Sequence, residues 1–209
     1  MKTYLDIDKW ERKDHFSFFK GFDEPFFGVT VEIDCSAAYA EAKRNGVSFF
    51  LYYLHKALVA ANEIEAFKYR IEGNRVARYE TVNASPTVPR PNGTFGFSYM
   101  EYKPVFSDFY ATAIKEMERV SKETTLVPAT SNENVIHFSA LPWIKFTSVS
   151  HARHYAMSDS IPKISFGKVY ESEGMKLMPV SIHVNHALMD GYHVGQYFDL
   201  FQDLMNKVS

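Results

Sequence analysis

From Val180 to Gly191 the side chains alternate in type and then run into an Asp-Gly pair, a pattern that leaves the backbone little choice. With a period of two, Val180, Ile182, Val184 and His186 share one face of a strand, while Ser181, His183 and Asn185 share the other. His186 therefore closes a strand behind three apolar side chains. Apolar surroundings disfavour a charged imidazolium, so a histidine there is kept neutral and able to accept a proton, which suits a catalytic base. Asp190 could orient that base as an aspartate orients the histidine of a hydrolase triad, and Gly191 is expected to take the unusual dihedrals of a tight turn. A metal site is the competing use of His183, His186, His193 and Asp190. It is disfavoured because residues three apart on a strand point to opposite faces, so no metal is expected.

Strands and helices alternate along the rest of the chain. Residues 26–33 read as a strand, 36–45 as a helix stopped by Gly46, and Ser48 as the cap of a second helix running to about Asn62. Residues 67–71 and 75–79 form a hairpin around Gly73 and Asn74. Pro86, Pro89 and Pro91 predict an irregular connection to a strand over 94–100. Ser107 is the expected cap of a helix through Val120, in which Phe109, Ala113, Ile114, Met117 and Val120 follow helical spacing. Strands over 135–139, 163–170 and 176–186 come next, the last two joined at Glu173 and Gly174. A final amphipathic helix turns Val194, Tyr197, Phe198, Phe201, Leu204 and Met205 inward. With no repeat or linker in this reading, residues 1–209 are expected to form one α+β domain.

Composition narrows the function classes. A chain of 209 residues can bury roughly 70% of its unfolded surface in one core, a length that suits one domain rather than two full-size ones. Its 18 Phe and 13 Tyr suit either a large core or an aromatic-lined pocket, and a count does not choose between them. The net charge is −2 and no lysine-arginine block stands out, so the footprint for nucleic acid or an anionic membrane is missing and small molecules are the expected partners. A single Cys35 excludes an internal disulfide and agrees with a reducing compartment. The opening residues lack the apolar core of a signal peptide, so a cytoplasmic protein is expected. The most apolar window, 49–61, contains His55 and Lys56 and is too short to span a bilayer.

Three separated segments carry a resemblance. They are Trp10-Glu11-Arg12-Lys13-Asp14-His15-Phe16, then Phe138-Ser139-Ala140-Leu141-Pro142-Trp143, then Asn185-His186-Ala187-Leu188-Met189-Asp190-Gly191 with Tyr192-His193-Val194 behind it. In order and spacing they resemble the W-x-R-x-x-H-F, S-A-x-P-W and H-H-x-x-x-D-G motifs of the chloramphenicol acetyltransferase family. The resemblance covers almost the whole chain. It implies a two-layer mixed β-sheet covered by helices, the fold of CoA-dependent acyltransferases, and a homotrimer with active sites in the clefts between subunits. It also implies direct acetyl transfer from acetyl-CoA, without a metal, to the 3-hydroxyl of chloramphenicol.

In that family the counterpart of His186 is the general base and that of Ser139 the hydroxyl donor to the oxyanion. The counterparts of Arg12 and Asp190 pair to support the shape of the site rather than to move the proton. Phe18, Phe19, Phe95 and His137 fall at acceptor-pocket positions, and Ser165 falls where a threonine helps order water near the intermediate. Trp143 matches a tryptophan lying against coenzyme A, and Lys168 a lysine near its phosphates.

This chain also departs from the family pattern. Asn185 replaces the first histidine of the motif, on the strand face opposite the base. Val169 stands where a tyrosine near coenzyme A is usual, and Ser48 where a lysine is common. His137 replaces an asparagine and Phe19 a tyrosine, so cofactor affinity and pocket polarity are expected to differ. The alternatives are therefore transfer to another small alcohol or amine, or a trimeric ligand-binding relative without turnover. Dihydrolipoyl acyltransferases and condensation domains share H-x-x-x-D-G, but the former add a lipoyl segment and linker, and the latter need about twice this length.

Overall fold

The computed structural model describes residues 1–126, 133–154 and 159–207. Its strands are β1 (Lys2–Tyr4), β2 (Phe26–Asp34), β3 (Tyr69–Glu72), β4 (Arg75–Tyr79), β5 (Asn83–Pro89), β6 (Phe95–Phe97), β7 (Val135–Ala140), β8 (Lys163–Phe166), β9 (Tyr170–Ser172) and β10 (Met175–Asn185). The α-helices are α1 (Lys13–Phe19), α2 (Ser36–Arg44), α3 (Phe49–Glu63), α4 (Phe106–Lys122) and α5 (Gly191–Asn206). A small sheet runs β1-β4-β3, and the main sheet runs β2-β10-β8-β7-β5-β6 with β9 added on β10. Within the main sheet β5, β7 and β8 are parallel, while β10 is antiparallel to both β8 and β2. This is an α+β architecture with a mixed sheet, as expected from the chain. Among the described residues, no helix is long and apolar enough to cross a membrane.

One face of the main sheet supplies the core. Val180, Ile182 and Val184 of β10 and Ile164 and Phe166 of β8 are fully buried with Leu51, Leu54 and Leu58 of α3 and Tyr197 and Phe201 of α5. Ser48 caps α3 as expected, its hydroxyl accepting from the Leu51 N–H at 3.4 Å. Gly46 ends the turn after α2 at φ +63°, where a Cβ would be strained.

Three expectations about local structure are corrected. Pro86 and Pro89 lie in strand β5 rather than in an irregular connection, and only Pro91 falls in a turn. Proline lacks only its N–H, and Pro86 stands where β5 changes partner from β7 to β6, its carbonyl accepting from the N–H (3.1 Å) and hydroxyl (2.7 Å) of Ser98. β6 is correspondingly short, with Met100 reduced to an isolated bridge to Ala84. Ser107 does not cap α4: the helix starts two residues earlier than that cap would place it, after Val105, and no side chain caps it. Phe106 sets that start by packing on Tyr52, His55 and Tyr110. The single strand expected over 163–170 is broken into β8 and β9. The break lies opposite Pro179, which has no N–H to give the ladder, and Gly167 fits there because a Cβ would come within 2.5 Å of the Pro179 ring.

Candidate active site

β10 ends at Asn185, and the turn that follows holds His186 against the aromatic end of α1. The Asn185 side chain accepts from the Ala187 N–H at 3.0 Å, and its carbonyl accepts from the N–H groups of Leu188 and Met189. His186 keeps the phase of the apolar face: Phe27, cross-strand from Val184, lies 4.7 Å from the imidazole centroid. On the other side Phe19 stacks in parallel at 4.1 Å and 3°. Phe18 and Phe22 complete an aromatic cluster with Phe19, at centroid distances of 5.0 and 5.2 Å. The His186 N–H is fixed to the Pro25 carbonyl at 2.8 Å, so its backbone is tied down while buried Nδ1 has no hydrogen-bond partner among the described residues.

Behind the base lies the expected Arg12–Asp190 pair. Arg12 bonds Asp190 at 2.6 Å and reaches the His186 carbonyl at 3.3 Å. His193 bonds the other carboxylate oxygen at 2.9 Å, and Asp190 caps α5 by accepting from the Tyr192 N–H. Burial alone would raise the Asp190 carboxyl; hydrogen bonds from Arg12 and His193 outweigh it and hold it at about 2. Asp190 thus braces the turn, and it orients His186 only through Arg12. Gly191 is corrected: it is the first residue of α5, it is not among the glycines with positive φ, and a Cβ there would meet nothing within 4 Å.

The other face of the same sheet is polar. Ser139 lies beside Ser165 and Ser165 beside Ser181, forming one row across β7, β8 and β10. One pair further along, His137, Lys163 and His183 form a second row. The His183 ring occupies the space over Gly28, where a Cβ would approach it to 2.3 Å, and His151 meets it edge-on at 4.8 Å. A cavity of about 260 Å³ opens here, lined by Ser85, Thr87, Phe97, His137, Ser139, His151 and Lys163. Burial, reinforced by the Lys163 charge, pushes the His137 imidazole down to about 4. His151 falls to about 4 through burial, His183 and Lys163, and His183 is lowered by burial and Lys163. Ser165 is fully buried, and its hydroxyl has no partner among the described residues.

The residues singled out in the sequence therefore fall into separate groups. His186, Phe18, Phe19, Arg12 and Asp190 gather at the α1 end of β10. Ser139, His137 and Ser165 lie on the polar face, which Asn185 shares and His186 does not. Trp143 and Lys168 are exposed neighbours on adjoining loops, joined through the Lys168 N–H and the Ile144 carbonyl at 2.9 Å. Phe95 is half exposed on β6 beside Phe97. Val169 packs against the core. His183 and His186 point to opposite faces, and no group of three His, Cys, Asp or Glu side chains able to hold a metal occurs among the described residues. Sequence reading missed Phe22 and Phe27 around the base, and Lys163 and His151 at the cavity. Lys163 was readable, since it alternates with Ser165 as His137 does with Ser139; His151 sits in a loop, where no periodicity announces it.

The fold is that of the CoA-dependent acyltransferases. A solved structure described as a probable dihydrolipoamide acetyltransferase from Listeria monocytogenes shares the fold at TM-score 0.68 with 11% identity, covering 94% of this chain and 90% of its own. The family model of chloramphenicol acetyltransferase matches residues 1–202, and the chain belongs to that family of acyltransferases. A solved chloramphenicol acetyltransferase superposes with TM-score 0.92 at 32% identity, covering 98% of this chain and all of that one. Chloramphenicol acetyltransferases of Proteus mirabilis and Escherichia coli are 26% and 28% identical over 97% and 98% of this chain and 94% of their own lengths.

Proposed function

We propose that this enzyme transfers the acetyl group of acetyl-CoA to a hydroxyl of a small acceptor, with the 3-hydroxyl of chloramphenicol the first candidate, and that His186 and Ser139 carry the chemistry. The observation that carries the reading is His186 itself: a half-buried imidazole clamped between Phe19 and Phe27, on a backbone braced by Arg12 and Asp190, with a buried nitrogen left uncommitted. Such a group can take the proton of an alcohol as its oxygen attacks the thioester carbonyl, a contribution of about 10²–10⁴-fold. The tetrahedral intermediate carries an oxyanion, to which the Ser139 hydroxyl donates, worth a few kcal/mol where the donor is aimed beforehand. As the intermediate collapses, the C–S bond breaks and the departing thiolate takes the proton from His186. No acyl-enzyme is formed.

Because His186 and Ser139 belong to opposite faces of one sheet, the reading includes a homotrimer in which the base of one copy works beside the serine of the next. Phe18, Phe19 and Phe95 would wall the acceptor with His137, while Ser165 would hold water near the intermediate. Trp143 and Lys168, side by side and exposed, would receive the nucleotide portion and phosphates of coenzyme A. The buried, single Cys35 fits a cytoplasmic setting.

Purified protein, acetyl-CoA and chloramphenicol, followed by thiol release, test the reading. Acceptor-dependent release that disappears with His186→Ala supports it. Release with other alcohols or amines but not chloramphenicol would favour a changed acceptor, a reading to which His137 lends weight. Binding of acetyl-CoA without any release would favour a non-catalytic relative.

A further inference from the structure

The polar cavity holds more chemistry than acetyl transfer requires. Lys163 is buried in the wall of the sheet, 8% exposed. Its ammonium is bonded to the Asp159 carboxylate and, at 3.2 Å, to the Ile161 carbonyl. An ammonium has three N–H groups, so among the described residues one is left without a hydrogen-bond partner, and the Phe26 ring lies 4.6 Å away. His137 faces Lys163 across the β7–β8 ladder, and His151 and Lys163 both line the cavity. His151 also brings a buried Nε2 with no hydrogen-bond partner among the described residues. Among the described residues Asp159 is the one carboxylate bonded to Lys163. The imidazoles of His137 and His151 are lowered by the lysine after burial, and at His137 the buried Arg70, which gives its hydrogen bonds to backbone carbonyls, adds to that effect. Asp159 opposes that effect at His137, so what the cavity offers a ligand is the remaining ammonium N–H and imidazoles kept neutral, which can donate. His137 stands two residues before Ser139 on the same face, about 6.6 Å along the strand.

We propose that Lys163, flanked by His137 and His151, is the acceptor-selecting element of this enzyme and anchors a carboxylate that the acceptor carries some two residues' length from the hydroxyl to be acetylated. The proposal rests on the reading of Ser139 as the reacting end of the site, and it replaces chloramphenicol, which carries no carboxylate, with another acceptor class: small alcohols bearing an acid group. The Lys163 N–H left over by Asp159 and Ile161 would take one carboxylate oxygen. The imidazole N–H groups would take the other, giving charge-assisted hydrogen bonds.

A matched pair of ligands tests it on the purified full chain by calorimetry. Para-hydroxymethylbenzoate and para-hydroxymethylbenzamide differ in charge but hardly in shape, and both place a hydroxyl at about the required distance from the polar group. The benzoate is expected to bind at least about tenfold more tightly, as charge-assisted bonds exceed neutral ones. In a variant carrying Lys163→Met together with Asp159→Asn, which removes both charges at once, the two ligands should bind alike. Equal binding to the unaltered protein, no binding of either ligand, or a preference that survives loss of Lys163 would overturn the proposal. The comparison on unaltered protein decides the matter even where the variant does not fold. Thiol release with the benzoate as acceptor then separates the two readings: preferential binding without release upholds the anchor and counts against acetyl transfer.

Discussion

The two faces of the main sheet are built from the same strands, one packed as core and the other opening into a polar cavity. On β10, Val180, Ile182 and Val184 pack under α3 and α5, while Ser181 and Asn185, the alternate residues, are buried just as deeply on the other side. β8 divides in the same way into Ile164 and Phe166 against Lys163 and Ser165, all of them buried. His137, Ser139 and His183 are only half-buried, but at the fully buried positions burial alone does not distinguish core from site; what differs is how the buried groups are satisfied. Apolar side chains need only neighbours, whereas each buried polar group must find a partner or carry a cost of about 1–3 kcal/mol. Asn185 meets that demand with the Asp159 carbonyl and the Ala187 N–H. Ser165 and His151 leave atoms uncommitted, and such atoms are the ones a substrate can use.

The comparison can be broken most severely at the base. His186→Ala should lower acetyl transfer by about 10²–10⁴-fold. The loss of one stacked ring pair should cost stability only about 1 kcal/mol. Steady-state rates and a melting curve on the same preparation check both, and a variant keeping a tenth of its activity would remove His186 from the chemistry. On the polar face, Ser139→Ala should lower kcat by roughly 10²-fold with little change in acceptor KM, because the hydroxyl meets an oxyanion that exists only beyond the ground state. A lowered melting temperature with kcat intact would instead make Ser139 a strand residue like Ser181.

Smaller effects sharpen the picture behind the base. Arg12→Ala leaves Asp190 with His193 and the Tyr192 N–H. The pair is 13% and 31% exposed, so its loss should cost about 2 kcal/mol, between the values typical of exposed and buried pairs. Denaturant unfolding measures this. Because the Asp190 carboxyl is lowered in the folded chain to about 2, its stabilisation is full above the ordinary carboxylate range near 4 and fades as pH falls toward 2. The stability gap between the native chain and Asp190→Asn should accordingly shrink below about pH 4. The smallest change is expected at Gly191→Ala, where the backbone is helical and space is open. The melting temperature should hold or rise slightly, since alanine is favoured over glycine in a helix by up to about 1 kcal/mol.

Alternation made most of the sheet legible in the sequence, because a period of two reports directly which residues share a face. It gave β10, its partners and the separation of Asn185 from His186. The elements it misplaced were governed by groups that local patterns do not weigh. Pro86 reads as a breaker, but the strand changes partner at that residue, so the missing donor is tolerated. The break after β8 is imposed by Pro179 on another strand, and the start of α4 by Phe106 packing on α3 rather than by a serine cap. Gly191 reads as a turn residue next to aspartate, yet it opens a helix capped by that aspartate. At the site, the Arg12–Asp190 pair was legible only through the family resemblance, as nothing in local sequence joins residues 178 positions apart. His151 reaches His183 from a loop and was not legible at all.

The central claim is that the two faces act together only across copies of the chain, with His186 supplied by one and Ser139 by the next. Mixing the two inactive variants His186→Ala and Ser139→Ala, under conditions that let subunits exchange, tests it directly. If the site spans two copies, some mixed assemblies contain one intact site and acetyl transfer reappears. If each chain completes its own site, every site in the mixture carries a lesion, and activity that stays at the level of the separate variants would contradict the account.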